Sequence, residues 1–232
     1  MFPPFGGNGP YGTYGSLGIY GALVTYGSIS LTETSPSQSF NESLTLDEVK
    51  DYLKIPVRSP ADQAEDDTLT ALIIAAREQA EILQNCDLVR KQWDVAYDYW
   101  PAYRVELRNP LVSVDLVKYR DSDGNYTTMA QDDDYVVDAA KRPGAILPPY
   151  NKSWPTFTAW PSSAILVRFT SGYAPTSAFW SDAGARIKLG MKLLISSWYN
   201  NRLPFEKGLD ATAEYPFAVS SCLSYGAVPR VR

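Results

Sequence analysis

Asp121, Asp123 and Asn125 alternate along Asp121-Ser122-Asp123-Gly124-Asn125, the spacing with which a calcium loop opens. The later ligands and the closing glutamate of such a loop are missing, so a hairpin turn explains the segment better. Asp132-Asp133-Asp134 offers adjacent carboxylates that could hold a divalent ion with help from elsewhere, or serve a carboxylate-dependent hydrolase. A solvated turn before a strand at Tyr135 is the simpler reading. Carboxylates that cleave glycosides must face each other across about 5 to 10 Å, a geometry that no spacing along the chain supplies. The chain has no histidine, which removes the commonest general base and the commonest zinc ligand together. No Gly-x-Ser-x-Gly elbow, phosphate loop or dinucleotide fingerprint follows a strand.

Cys86 and Cys222 match no metal-ligand or redox spacing. Both lie in apolar surroundings, so buried free thiols are expected, which fits assembly inside a cell better than secretion. These residues imply no enzyme, no cofactor and no metal. Partners are a better guide. Sixteen tyrosines and six tryptophans supply rings that bury area while keeping a polar handle, useful in a core or in an interface. The net charge of −5 argues against general affinity for DNA, because phosphate binding needs clustered Lys and Arg. The first basic side chain is Lys50, and no apolar run approaches the roughly 20 residues that span a bilayer. Neither a signal peptide nor a membrane partner is expected.

The elements that would carry these residues divide into an arm, a domain and a tail. Residues 1 to 43 hold eight of the chain's 15 glycines, and Glu33 and Glu42 are their only charged side chains. Glycine at that density leaves a chain with no core of its own. Phe2, Phe5, Tyr11, Tyr14, Tyr20 and Tyr26 punctuate it, so the expectation is an extended arm that a partner orders through these rings.

The domain is expected over 44–224. Thr45 and Glu48 form a capping box for a helix over 44–55 that stops before Pro56. Glu65-Asp66-Asp67 favours the start of a second helix over 67–85. A β-rich insertion over 92–173 follows, with short alternating runs rich in Val, Tyr and Trp. The longest helix is expected over 182–201, with Ile187, Met191, Leu194, Ile195 and Trp198 on one face. Gly190 inside it costs about 1 kcal/mol relative to alanine, which implies a close helix crossing there. A short helix over 216–223 precedes a tail, 225–232, in a stretch without an acid after Glu214. The fold class is therefore α+β: a helical bundle core, two helices before and two after an inserted antiparallel β-rich region, with extended arms at both ends.

The capped helix Leu-Thr-Leu-Asp-Glu-Val-Lys-Asp-Tyr-Leu, the helix Asp-Asp-Thr-Leu-Thr-Ala-Leu-Ile-Ile-Ala-Ala-Arg, the strands, the helix end Trp198-Tyr199-Asn200-Asn201-Arg202 and the close Pro216-Phe217-Ala218-Val219 with Leu223 and Tyr225 come in a telling order. Over residues 44 to 232 the chain resembles the head–tail connector family of tailed phages, also called adaptor or head-completion proteins. The resemblance implies a ring, twelve-fold in that family, seated under the portal protein in the virion neck and assembled in the host cytoplasm. It implies neighbouring copies and a tail-completion or tail tube protein as partners, with DNA passing through the channel without specific binding. Another neck or tail-completion role is the alternative within the virion. By the same resemblance Tyr225, Val228, Pro229, Arg230, Val231 and Arg232 form the portal-docking peptide. Trp198, Tyr199 and Arg202 are anchors, either between subunits or in the core. The arm departs from the family pattern, so its partner does not follow from the resemblance.

Overall fold

In the computed structural model the described residues are 30–33, 42–55, 63–200 and 217–224. Helix α1, Leu46–Leu53, starts at the expected capping box: the Glu48 N–H donates to Thr45 Oγ1 at 3.2 Å, and Glu48 Oε2 accepts the Thr45 N–H at 3.0 Å. It ends on Lys54 in the left-handed region, φ 58°. Helix α2, Gln63–Gln84, begins four residues before the expected 67. Glu65 and Asp66 therefore lie inside the first turn, where the unsatisfied N–H groups still favour negative charge. After the β region a 3-10 turn, Ala178–Ser181, leads into α3, Ala183–Asn200, and the last described element is α4, Phe217–Leu223.

These four helices bury one apolar core, with Val49, Leu69, Ile73, Met191, Leu194 and Leu223 among its members. Gly190 is the close crossing the sequence implied. A Cβ there would lie 2.7 Å from Leu223 Cδ2 and 3.0 Å from Cys222 Cβ, so only glycine lets α4 sit this close to α3.

The β region forms two antiparallel sheets. One has five strands in the order β1-β2-β8-β4-β5: Ser30–Glu33, Lys91–Tyr97, Ile165–Ser171, Leu111–Arg120 and Tyr126–Thr128. The other has three, in the order β3-β7-β6: Val105–Glu106, Ala145–Leu147 and Val136–Asp138. Strand β8 alternates strictly, burying Ile165, Val167 and Phe169. With Val105 and Ile146 of the smaller sheet they share a second core. The fold is α+β, a helical core with an antiparallel β insertion.

The structure differs from expectation in one place that matters later. Residues 30–33 fall inside the segment read as a partner-ordered arm, yet they pair with β2, from Ser30↔Ala96 to Glu33↔Trp93. Their partner is the domain's own sheet. Ser43 and Leu44 are buried, Leu44 in the helical core. The chain therefore joins the domain well before residue 44.

Register fixes the two ends of the large sheet. Lys91, Ser171 and Leu111 are level with one another at the end where the chain enters from α2 and leaves toward α3. Tyr97, Ile165 and Tyr119 are level at the opposite end, away from the helices.

Candidate functional site

The carboxylate turns are structural. Asp121 Oδ1 accepts the N–H groups of Asp123 at 3.0 Å and Asn125 at 2.9 Å, and Gly124 takes φ 89° to close the hairpin. Hydrogen bonds, the one from the Asn125 backbone foremost, hold the Asp121 carboxyl below its usual range. Asp134 Oδ2 accepts the Ala130 N–H at 2.8 Å, Asp132 turns the chain at φ 71°, and the Asp133 carbonyl accepts from Lys152 Nζ at 2.7 Å. Among the described residues no group of three or more His, Cys, Asp or Glu side chains converges to hold a metal ion.

Charge is concentrated instead at the seam between helices and sheet. Asp87, 0% exposed, accepts from Arg108 (Nε at 2.9 Å and Nη2 at 2.6 Å to Oδ1), from Trp93 Nε1 at 3.0 Å and from the Ser171 hydroxyl. The Arg108 guanidinium also lies 4.6 Å from the Trp93 ring centre. Six residues earlier on α2, Glu81 Oε2 accepts from Arg77 Nη1 and Lys91 Nζ, both at 2.8 Å, while Oε1 accepts the Leu88 N–H at 2.9 Å. Arg77 Nε reaches back to Glu42 Oε1 at 3.0 Å.

A buried charge without partners would cost several kcal/mol, and each charge here is met by opposite charge and hydrogen bonds. Burial pushes the Glu42 carboxyl above its usual range against the pull of Arg77. Arg77 is held charged, because Glu81 and Glu42 outweigh its own burial. The network ties α2, the crossover to β2, the segment after β3 and the end of β8 into one joint. Backbone bonds cross the same joint: the Asp87 N–H donates to the Asn109 carbonyl at 2.7 Å and the Gly172 N–H to the Pro110 carbonyl at 2.9 Å. Spacing could not reveal this arrangement. Its only trace in the sequence is an acid set among apolar residues, Cys86-Asp87-Leu88-Val89.

Cys86 beside it is free and buried, with its thiol pushed up to about 12, first by burial and then by Asp87 and Glu81. A thiol held protonated is a packing group and a poor nucleophile. Cys222 is free too and only partly buried, so the expectation of two buried thiols holds for Cys86 alone.

The far end of the large sheet is aromatic. Trp100 stacks on Trp154 at 4.4 Å, Tyr119 meets Phe157 at 4.5 Å, and the Arg120 guanidinium lies 4.0 Å from the Trp160 ring centre. Four tyrosines stay exposed: Tyr99 at 63% just after β2, Tyr126 at 52% on β5, and Tyr103 at 83% and Tyr150 at 100% in the loops beside β3 and β7. The composition showed many rings, but only the fold shows which of them meet.

The anchor residues read from the sequence divide. Trp198 and Tyr199 are partly buried against the helical core, and the Tyr199 hydroxyl bonds Glu65 Oε1, tying the end of α3 to the start of α2. Arg202 lies outside the described residues, as do the arm residues Phe2, Phe5, Tyr11, Tyr14, Tyr20 and Tyr26 and the tail residues Tyr225, Val228, Pro229, Arg230, Val231 and Arg232.

No protein-family model matches the chain, and no curated protein does. Solved structures match over most of its length. A chain of the neck of the empty gene transfer agent (GTA) particle, computed with C6 symmetry, superposes with a TM-score of 0.67 at 20% identity, over 88% of this chain and 97% of that one. A chain of the virion of the native particle gives 0.64 at 19% identity, over 87% and 97%. A chain of the native neck computed with C12 symmetry gives 0.62 at 19%, over 88% and 97%. At this identity the likeness is one of fold, and it runs through both the helical core and the β insertion.

Proposed function

We propose that this chain is a structural subunit of the neck of a tailed-phage-like particle, forming a ring that joins head to tail around the DNA channel. The observation that carries this reading is the breadth of the fold match: nearly the whole of a neck chain, 97%, is covered by 88% of this one. The C6 and C12 symmetries of those necks support a closed cyclic assembly of copies of this chain. Its work is then geometric, holding surfaces at fixed positions, and the doubly tied seam suits that task because it holds the helical core rigid against the sheets.

The partners in this reading are the portal protein above, neighbouring copies at the sides and a tail-completion or tail tube protein below. The net charge of −5 supports a channel that lets DNA slide, since few phosphates would be held. The segment from Tyr225 to Arg232, which carries Arg230 and Arg232 and no acid, is the docking peptide for the portal. Trp198 and Tyr199 act first as core residues of the subunit, with Arg202 beside them in sequence.

Deleting 225–232 tests the docking role. The truncated chain is expected to fold and to form rings, and to leave particles with heads and tails unjoined. Normal joining by the truncated chain would reject it.

A further inference from the structure

Helices α2 and α3 pack on each other through buried stripes: Leu69, Ile73, Ala76 and Ala80 on α2, and Ile187, Met191, Leu194 and Ile195 on α3. At about 3.6 residues per turn the outer stripe of each helix lies opposite its buried one, so the two outer stripes point away from each other. On α2 the outer stripe is Thr68, Ala71, Ala75, Glu78 and Ile82, all exposed, with Ile82 at 58%. On α3 it is Ala185, Arg186, Leu189, Lys192 and Ser196, with Leu189 at 46%.

Charge divides between these faces. The only cation of α2 is Arg77, which is buried, whereas Asp67 and Glu78 are exposed. Glu78 touches Arg77 at 3.6 Å and still leaves its side chain 61% exposed. Helix α3 carries Arg186, Lys188 and Lys192 and no acid. Lys188 lies to one side, 3.8 Å from Glu48 of its own subunit.

We infer that in the ring α3 of one copy lies on α2 of the next, with Leu189 seated between Ala71 and Ala75. This deepens the neck reading and rests on its ring. A cyclic assembly joins two different faces of one subunit, each complementary to the other, and these stripes point in opposite directions as closure requires. Their direction follows from the subunit itself. The Tyr199 hydroxyl at the end of α3 bonds Glu65 at the start of α2, so the two helices run antiparallel. One step of a ring with the C12 symmetry of the similar neck turns a copy by a twelfth of a revolution, too little to reverse a helix. The contact between copies is therefore antiparallel too. Arg186, three residues before Leu189, falls beside Glu78, three residues past Ala75. Lys192, three residues past Leu189, falls beside Asp67, four before Ala71. Two pairs of opposite charge flank one apolar knob in a groove of small side chains.

Particles complemented with variant chains, scored for joined heads and tails, test the contact. Glu78→Arg alone and Arg186→Glu alone set like charges against each other at every junction. Each is expected to lower the yield of joined particles by about tenfold or more. Co-expression of the two variants is expected to restore joining, because copies alternating around an even-numbered ring again pair acid with base. Urea unfolding of each isolated variant is expected to match the unchanged chain, since both positions are exposed. Ala75→Trp fills the groove without altering charge, and it decides the matter should a charge variant fail to fold: it is expected to stop joining at unchanged stability. Normal joining by any of these folded variants would overturn the inference and leave the neck reading standing. A loss that co-expression does not repair would also overturn it, by assigning these faces to a different partner. Necks that lack the unchanged chain altogether would overturn the neck reading, and this inference with it.

Discussion

At the scale of the residue, Asp87 is the side chain on which most depends. Its carboxylate receives Arg108, Trp93 and Ser171 with no contact to water, so removing it takes away the negative charge that faces the guanidinium in the seam. Asp87→Ala is expected to cost about 3 to 5 kcal/mol in urea unfolding, the usual penalty for breaking a buried pair from one side. A loss below about 1 kcal/mol, the worth of an exposed pair, would show that the seam is not held this way. Glu42 gives a dependence on pH. Its carboxyl is raised above 4.5 by burial, so the folded state holds the proton more tightly than the unfolded chain. Folding stability from this group falls as pH rises from about 4.5 through the raised value, and is regained on acidification. Unfolding curves across that window are expected to lose this component in Glu42→Gln, and an unchanged slope would count against it. Neither residue declared itself in the sequence. Asp87 lies 21 residues from Arg108 and 84 from Ser171, and nothing local marks such a meeting.

At the scale of the element, local pattern carried far. The capping box and the alternation of β8 were visible as spacing, because each is dictated by neighbours within a few residues, and the glycine inside α3 stood out as a residue that a helix disfavours. Strand β1 was not visible. Four residues in a glycine-rich stretch become a strand only because β2, some sixty residues on, offers them an edge. The 3-10 turn Ala178–Ser181 was missed for a similar reason: it is one short turn, pinned by Ser177 and by the Trp180 indole N–H donating to the Ala174 carbonyl. Two glycines separate backbone need from side-chain convenience. At Gly172, φ is 101° and a Cβ would fall 2.0 Å from the Val89 carbonyl oxygen, which cannot move without opening the seam. At Gly190 a Cβ would meet the side chains of Leu223 and Cys222, so α4 must shift outward to admit it, and the helix propensity that alanine regains, about 1 kcal/mol, offsets part of that cost. Gly172→Ala should therefore lower the melting temperature clearly more than Gly190→Ala. Equal effects would mean that the seam backbone is softer than its contacts indicate.

At the scale of the whole molecule, the order of helices and strands was enough to suggest the family, and the fold match extends the likeness across both cores. The surfaces were less legible. That Tyr99, Tyr103, Tyr126 and Tyr150 stay exposed was not marked in the sequence, and the seam network exists only through folding. That division follows from the kind of protein proposed. A ring subunit works through area and angle, which depend on tertiary placement, so its sequence advertises elements more clearly than sites. The same logic gives the most direct test. Cryo-electron microscopy of particles that carry this chain should show it as a closed ring coaxial with the DNA channel, between head and tail, with its α+β domain fitting the density. Particles whose neck ring is built from another chain, with this one elsewhere or absent, would contradict the proposal.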